Sequence, residues 1–250
     1  MQLTKRRRRG FTLTELAVVL TIVALLVGAG LMTLSARVEQ RNYEETMRRL
    51  NAAADAVLAF AIVNRRLPCP ASGGTTGDEA FAGASCSTWY GGFLPARTIG
   101  FQPVDGQGYG VDVWSNRIRY AVAQNVAGCT GGAPANPHFV SAANLKTNGV
   151  SCQPTDLDIC APTDNTIVCT AANRVVSTGT VAFIVFSTGK DGAVAAAQGP
   201  HETANLDGNA TFISHTPSDS DSPTGAYDDL MIWVPAGVVY SKLIAAGVLP

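Results

Sequence analysis

Residues 5–15 read Lys5-Arg6-Arg7-Arg8-Arg9-Gly10-Phe11-Thr12-Leu13-Thr14-Glu15 and open directly onto LAVVLTIVALLVGAGLMTL, residues 16–34. That second run holds no charged side chain over 19 residues. As a helix rising 1.5 Å per residue it reaches about 28 Å, close to the hydrocarbon thickness of a bilayer. A basic cluster precedes it and a single Arg37 follows, so the charge rule keeps the N-terminus cytoplasmic and exports the rest. A secretory signal peptide would have a shorter apolar core followed by a small-x-small cleavage site, whereas here the run continues into Ser35, Ala36 and a charged helical pattern. A plain signal anchor accounts for the length and the flanking charge, but not for Glu15. A carboxylate at one end of a membrane helix costs on the order of a few kcal/mol if deeply placed, so it needs a partner.

Gly10-Phe11-Thr12-Leu13-Thr14-Glu15 resembles the cleavage and methylation motif of type IV prepilins and type II secretion pseudopilins. The resemblance implies that a membrane-embedded prepilin peptidase cuts after Gly10 and methylates the new amine of Phe11. Glu15 then stands fifth in the processed chain, and a neighbouring subunit's N-terminal amine is the cation it would meet. In low dielectric such a pair fixes register, because either charge left alone is penalised. The family often carries a proline late in this segment. This chain has Gly28 and Gly30 instead, which either loosen the helix, by about 1 kcal/mol each relative to Ala, or allow close helix packing.

The formal net charge of −1 conceals an asymmetry: beyond Lys5–Arg9 there remain 13 basic and 19 acidic residues. An acidic, Gly/Ser/Thr/Asn-rich body lacks the electrostatic footprint of a nucleic-acid binder, so no nucleic acid is expected as partner, a DNA-uptake pilus being the exception. The six cysteines (Cys69, Cys86, Cys129, Cys152, Cys160 and Cys169) all follow the apolar run, as disulfides in an oxidising compartment would. Nearness in sequence suggests Cys69–Cys86, and otherwise the pairing is open. No CxxC occurs and His138, His201 and His215 have no ligand spacing, which argues against zinc. The scattered histidines read as surface residues.

Past Leu34 an apolar face of Met47, Leu50, Ala54, Val57, Leu58 and Ala61 recurs at helical spacing, with Arg41, Glu44, Glu45, Arg48 and Asp55 elsewhere. No Pro or Gly interrupts Leu31–Leu67, so one helix is expected from Phe11 to about Asn64, ended by Pro68 and Pro70. Residues 71–110 read as loop, and 124–173 as a second loop-rich stretch stapled by cysteines. Between them Val111-Asp112-Val113-Trp114-Ser115 is similar to an Asp-x-Trp-Gly turn of pseudopilin domains, with Ser115 in place of the Gly. Ile118, Tyr120 and Val122 then alternate with Arg117, Arg119 and Ala121 as a half-buried strand would. Thr180–Ser187 and Asp229–Val234 are the clearest strands, and Ala236–Ala246 a closing helix stopped at Gly247.

These features together predict an α+β pilin fold: a long N-terminal helix on an antiparallel sheet of about four strands, with disulfide-stapled loops. Its parts are a leader (1–10), a membrane and filament-core helix (11–35), an amphipathic continuation (36–66) and an exported domain (67–250). The stretch from Ser187 to Asp229 is like the C-terminal region of the major pseudopilin, where a Ser-x-Gly-x-Asp-Gly turn and an acidic loop bind calcium. The resemblance makes Asp191, Asp207, Asp219, Asp221, Asp228 and Asp229 candidate ligands, a hard-oxygen set of the kind calcium takes. Asp in Ser/Gly loops is also an ordinary turn former. No G-x-S-x-G, HExxH or phosphate loop is present, so no catalysis is expected.

The expectation is a structural subunit of a type II secretion pseudopilus or a type IV pilus. Loss of the leader would leave 240 residues, which is large for a major subunit and favours a minor or specialised one. Its partners would be the prepilin peptidase, other pilin or pseudopilin subunits, an inner-membrane assembly platform and the lipid bilayer, with the domain periplasmic. The alternative is a membrane-anchored binding or adhesion module that does not polymerise.

Overall fold

The computed structural model describes residues 12–74, 76–83, 85–127, 137–194 and 197–249, and of helix residues 27–36 the backbone alone. Helix α1 spans Leu13–Asn64, 52 residues without a break. There follow β1 (Phe81–Ala82), β2 (Ser85–Cys86), β3 (Gly92–Phe93), α2 (Ala96–Ile99), β4 (Arg119–Val122), β5 (Val126–Ala127) and α3 (Ala142–Asn148). Then come β6 (Gln153–Pro154), β7 (Asp158–Cys160), β8 (Val181–Ser187), α4 (Pro200–Asn205), β9 (Thr211–Ile213), β10 (Leu230–Pro235) and α5 (Ala236–Ala245). The chain divides into two compact units, one ending at Glu44 and the other beginning at Glu45.

In the first unit the described side chains of α1 face outward nearly all round: Leu16, Val18, Val19, Leu20, Ile22, Val23, Leu25 and Leu26 are exposed. Among the described residues no helix is long and apolar enough to cross a membrane. The uncharged run behind the spanning expectation includes residues 27–34, whose side chains lie outside the description, as do Gly28 and Gly30.

In the second unit α1 is amphipathic. Leu50, Ala53, Ala54, Val57, Leu58 and Ala61 are buried in one core with residues of β4, β8 and β10. Each buried Val or Leu contributes about 1.5–3 kcal/mol relative to exposure. Polar anchors fix the helix along its length. The Arg49 guanidinium donates to the Asp112 carbonyl at 2.7 Å, and the Tyr120 hydroxyl donates to the Pro68 carbonyl at 3.1 Å. At the helix exit Arg66 forms a two-pronged pair with Glu79 at 2.8 and 2.6 Å.

The main sheet is four-stranded and antiparallel, in the order β10-β8-β4-β3. The β8 strand is buried at every position, as an interior, β-branched and aromatic strand should be. The β4 strand departs from the expected alternation, because Ala121 is as buried as Tyr120 and Val122. Arg119 is accommodated by laying its guanidinium over the Phe93 ring, 4.3 Å from the centroid.

Residues 71–110 are more ordered than the loop expected: they hold the β1–β2 hairpin, β3 and α2. Residues 124–173 likewise carry α3 and short strands, of which β7 pairs in parallel with the distant β9. The short elements escape sequence reading because two or three residues show no period. Cys69 pairs with Cys86 and Cys160 with Cys169. Cys152 is also disulfide-bonded, while Cys129 lies outside the described residues.

Candidate functional site

Two constellations carry chemistry. The first opens α1, where Thr12 precedes the first helical residue and Glu15 sits in the first turn. The Thr12 amide and hydroxyl donate to Glu15 Oε2 at 3.3 and 3.2 Å, and the Glu15 amide donates back to Thr12 Oγ1 at 3.3 Å. This is a reciprocal capping box, and its T-x-x-E signature stands in the sequence at Thr12-Leu13-Thr14-Glu15. Glu15 thus has a local partner that the sequence reading did not give it. A cap needs only acceptor oxygens, so the negative charge is in excess of that role. Gly10 and Phe11 lie outside the described residues.

Residues 5–31 are a prokaryotic N-terminal methylation motif. The motif marks type IV pilin-like and pseudopilin-like proteins, which are structural rather than enzymatic, and it implies prepilin-type processing and assembly with other such subunits. No curated protein and no solved structure matches the chain.

The second constellation lies where β8 ends. Asp112 is buried, its Oδ1 accepting the amides of Trp114 and Asn116 at 2.9 and 2.8 Å and its Oδ2 accepting the Ser187 hydroxyl at 2.5 Å. Burial raises its pKa, and these donors oppose the rise. The tight turn beneath it puts Ser115 at φ 68°, the left-handed region that explains why Gly suits this position. Asn116 Nδ2 donates to the Gly189 carbonyl at 2.6 Å, joining this turn to the next.

Gly189, at φ 64°, passes so close to Asp228 that a Cβ would sit 1.7 Å from its Oδ1. The Lys190 amide donates to Asp228 Oδ2 at 3.0 Å. Asp191, Glu202 and Asp228 converge here, with one oxygen of each within 4.8 Å of the others. Oδ1 of Asp191 and Oδ1 of Asp228 are buried and accept no hydrogen bond. Glu202 caps α4, accepting the Gly199 amide at 2.7 Å and the Asp228 amide at 2.5 Å. Burial, then mutual repulsion, raises the pKa of Asp191, and burial with the neighbouring carboxylates pushes Glu202 up to about 7. The 4.8 Å span is about twice a calcium–oxygen distance, so one hard cation can touch all three carboxylates.

The structure therefore brings together two of the six acidic residues singled out in the sequence. Asp229 is buried beside them, its Oδ2 held by Asn205 Nδ2 at 2.7 Å, but stands outside the cluster. Asp207 closes its own turn by accepting the Asn209 amide at 2.8 Å. Asp219 and Asp221 are exposed on a separate turn. Glu202 was missed, although Gly199-Pro200-His201-Glu202 carries a helix-start signature with Pro at N1.

The histidines correct the expectation of surface positions. His138 and His201 are buried. His138 Nε2 meets the Tyr240 hydroxyl at 3.0 Å, and burial pushes its pKa down to about 4. His201 Nδ1 lies 2.9 Å from His215 Nε2, and its Nε2 lies 3.1 Å from the Thr166 carbonyl. Residues distant in sequence and lacking periodic spacing meet only once β9 and α4 are docked.

Proposed function

We propose that this chain is a structural, minor or specialised subunit of a type II secretion pseudopilus or type IV pilus with a pilin fold. Before assembly it is held in the inner membrane by the first half of α1, its N-terminus cytoplasmic and its domain periplasmic. The observation that carries the reading is a methylation motif placed at the start of a 52-residue helix whose described first half exposes apolar side chains. Prepilin peptidase cuts after Gly10 and methylates Phe11. An assembly platform then moves the subunit into a filament core, where Glu15 pairs with a neighbour's terminal amine. Mass spectrometry of the mature protein tests the first step: a chain beginning at N-methylated Phe11 is expected, and an intact Met1 overturns it. A mature chain that never forms crosslinkable oligomers would instead be an anchored binding or adhesion module.

Calcium is the proposed ligand of Asp191, Glu202 and Asp228. Two buried carboxylate oxygens without donors favour it over a purely structural cluster, with water and backbone carbonyls completing the six to eight oxygens that calcium takes. Chelator is expected to lower the melting temperature of the wild type and to leave Asp228→Asn unchanged. Equal melting temperatures with and without chelator would remove calcium from the proposal.

A further inference from the structure

Arg49 and Arg65 mark two ends of the domain portion of α1, about 24 Å apart at the helical rise. The Arg49 end meets the Asp112 turn and, through Ser187, the end of β8. The Arg65 end meets residues 139 and 247–249, near the start of β8 and the helix α5 that follows β10. The domain therefore has two poles, and their charges differ.

At the Arg65 pole a notch of about 220 Å³ is lined by Arg65, Lys146, Leu145, Val248 and Leu249. Arg65 takes φ 60°, a conformation L residues other than Asn, Asp and His seldom adopt, and its side chain is exposed. Lys146 is exposed too, and neither cation has a hydrogen bond or ion pair among the described residues. The notch thus offers two exposed cations beside Leu145, Val248 and Leu249.

At the other pole lies the turn carrying Asp219 and Asp221. It is rooted there by Tyr227, whose hydroxyl donates to the Ile213 carbonyl at 2.7 Å, and by Asn205, which links that same carbonyl to Asp229. The turn is internally braced. The Ser218 hydroxyl donates to the Gly225 carbonyl at 2.7 Å, Ser222 and Thr224 hydroxyls meet at 2.9 Å, and Ser218 bridges Tyr227. Both carboxylates are exposed and without partners among the described residues. A turn held by its own hydrogen bonds has little ordering entropy to lose on docking.

We infer that the Asp219–Asp221 turn of one copy docks into the Arg65–Lys146 notch of a second copy of this chain. The two surfaces differ and lie at opposite poles, so the contact is heterologous and propagates head to tail instead of closing a dimer. It adds a domain-to-domain contact to the helix packing of the proposed filament, and it rests on the filament reading above. Being an exposed charge pairing, it weakens with salt.

The test uses the full-length chain in membranes or filaments, assembled from mixed ¹⁴N and ¹⁵N subunits and treated with a zero-length carbodiimide crosslinker. The expected product joins Lys146 to Asp219 or Asp221 in peptides of mixed isotope. Lys146→Glu removes both the amine and the favourable charge, so this crosslink is expected to disappear. Adding Asp219→Lys and Asp221→Lys to it should restore the yield. Abundant oligomers whose crosslinks map elsewhere, or charge reversals without effect, overturn the docking while leaving the filament reading intact. Wild-type chains that give no oligomer at all, matching Glu15→Gln, overturn both.

Discussion

The two halves of helix α1 are continuous in backbone and opposite in surroundings. Residues 46–61 bury one face and turn charge outward, so their partner is the chain's own sheet. Residues 13–26 expose Leu, Val and Ile around the helix, with Glu15 in its first turn. Under the proposed filament function one helix carries a folding surface and an assembly surface, and changes in one half should leave the other's task untouched.

The largest expected effect separates them at Glu15. Glu15→Gln keeps the acceptor that the capping box needs but removes the charge. Crosslinked oligomer should fall at least about tenfold while the domain's melting temperature stays fixed. Unchanged assembly would reduce Glu15 to a helix cap. In the other half, Leu50→Ala leaves a cavity in the core and should destabilise the domain by about 3 kcal/mol in chemical denaturation, without affecting the mass of the processed N-terminus.

A smaller effect probes the folding side through pH. His138 is kept neutral by burial, its pKa lowered from 6.5 to about 4. The unfolded chain binds the extra proton in that window, so this contribution is complete above pH 6.5 and is lost as pH falls toward 4. Its size is at most about 3 kcal/mol. Glu202, raised to about 7, acts in the opposite sense, its contribution present below pH 4.5 and lost as pH rises through 7. The wild type minus His138→Asn difference isolates the histidine, and parallel stability curves between pH 4 and 6.5 would rule it out. Smallest is Ser115→Gly. The residue sits at φ 68°, so Gly should stabilise the domain by roughly 1 kcal/mol, read as a higher denaturation midpoint.

Long periodic elements were legible in advance. α1 ends at Asn64 as its apolar spacing and the following prolines require, and β8, β10 and α5 fall within a residue or two of their hydrophobic patterns. Ser115 was legible as an oddity, and its positive φ supplies the reason. The acidic cluster was half legible: Asp191 and Asp228 stand in the turn pattern, whereas Glu202 comes from a short helix packed on β9. The buried histidines were not legible, because burial of an isolated polar residue depends on which distant elements cover it.

By itself the sequence determined the N-terminal methylation motif at residues 5–31 and the long uncharged run after Glu15, both set by local order along one segment. Only the tertiary structure decided which carboxylates converge, that Cys160 pairs with Cys169, and that the exposed cations Arg65 and Lys146 stand apart from the exposed Asp219 and Asp221. Those features join residues from separate elements, and helix or strand periodicity carries no information about which elements will touch.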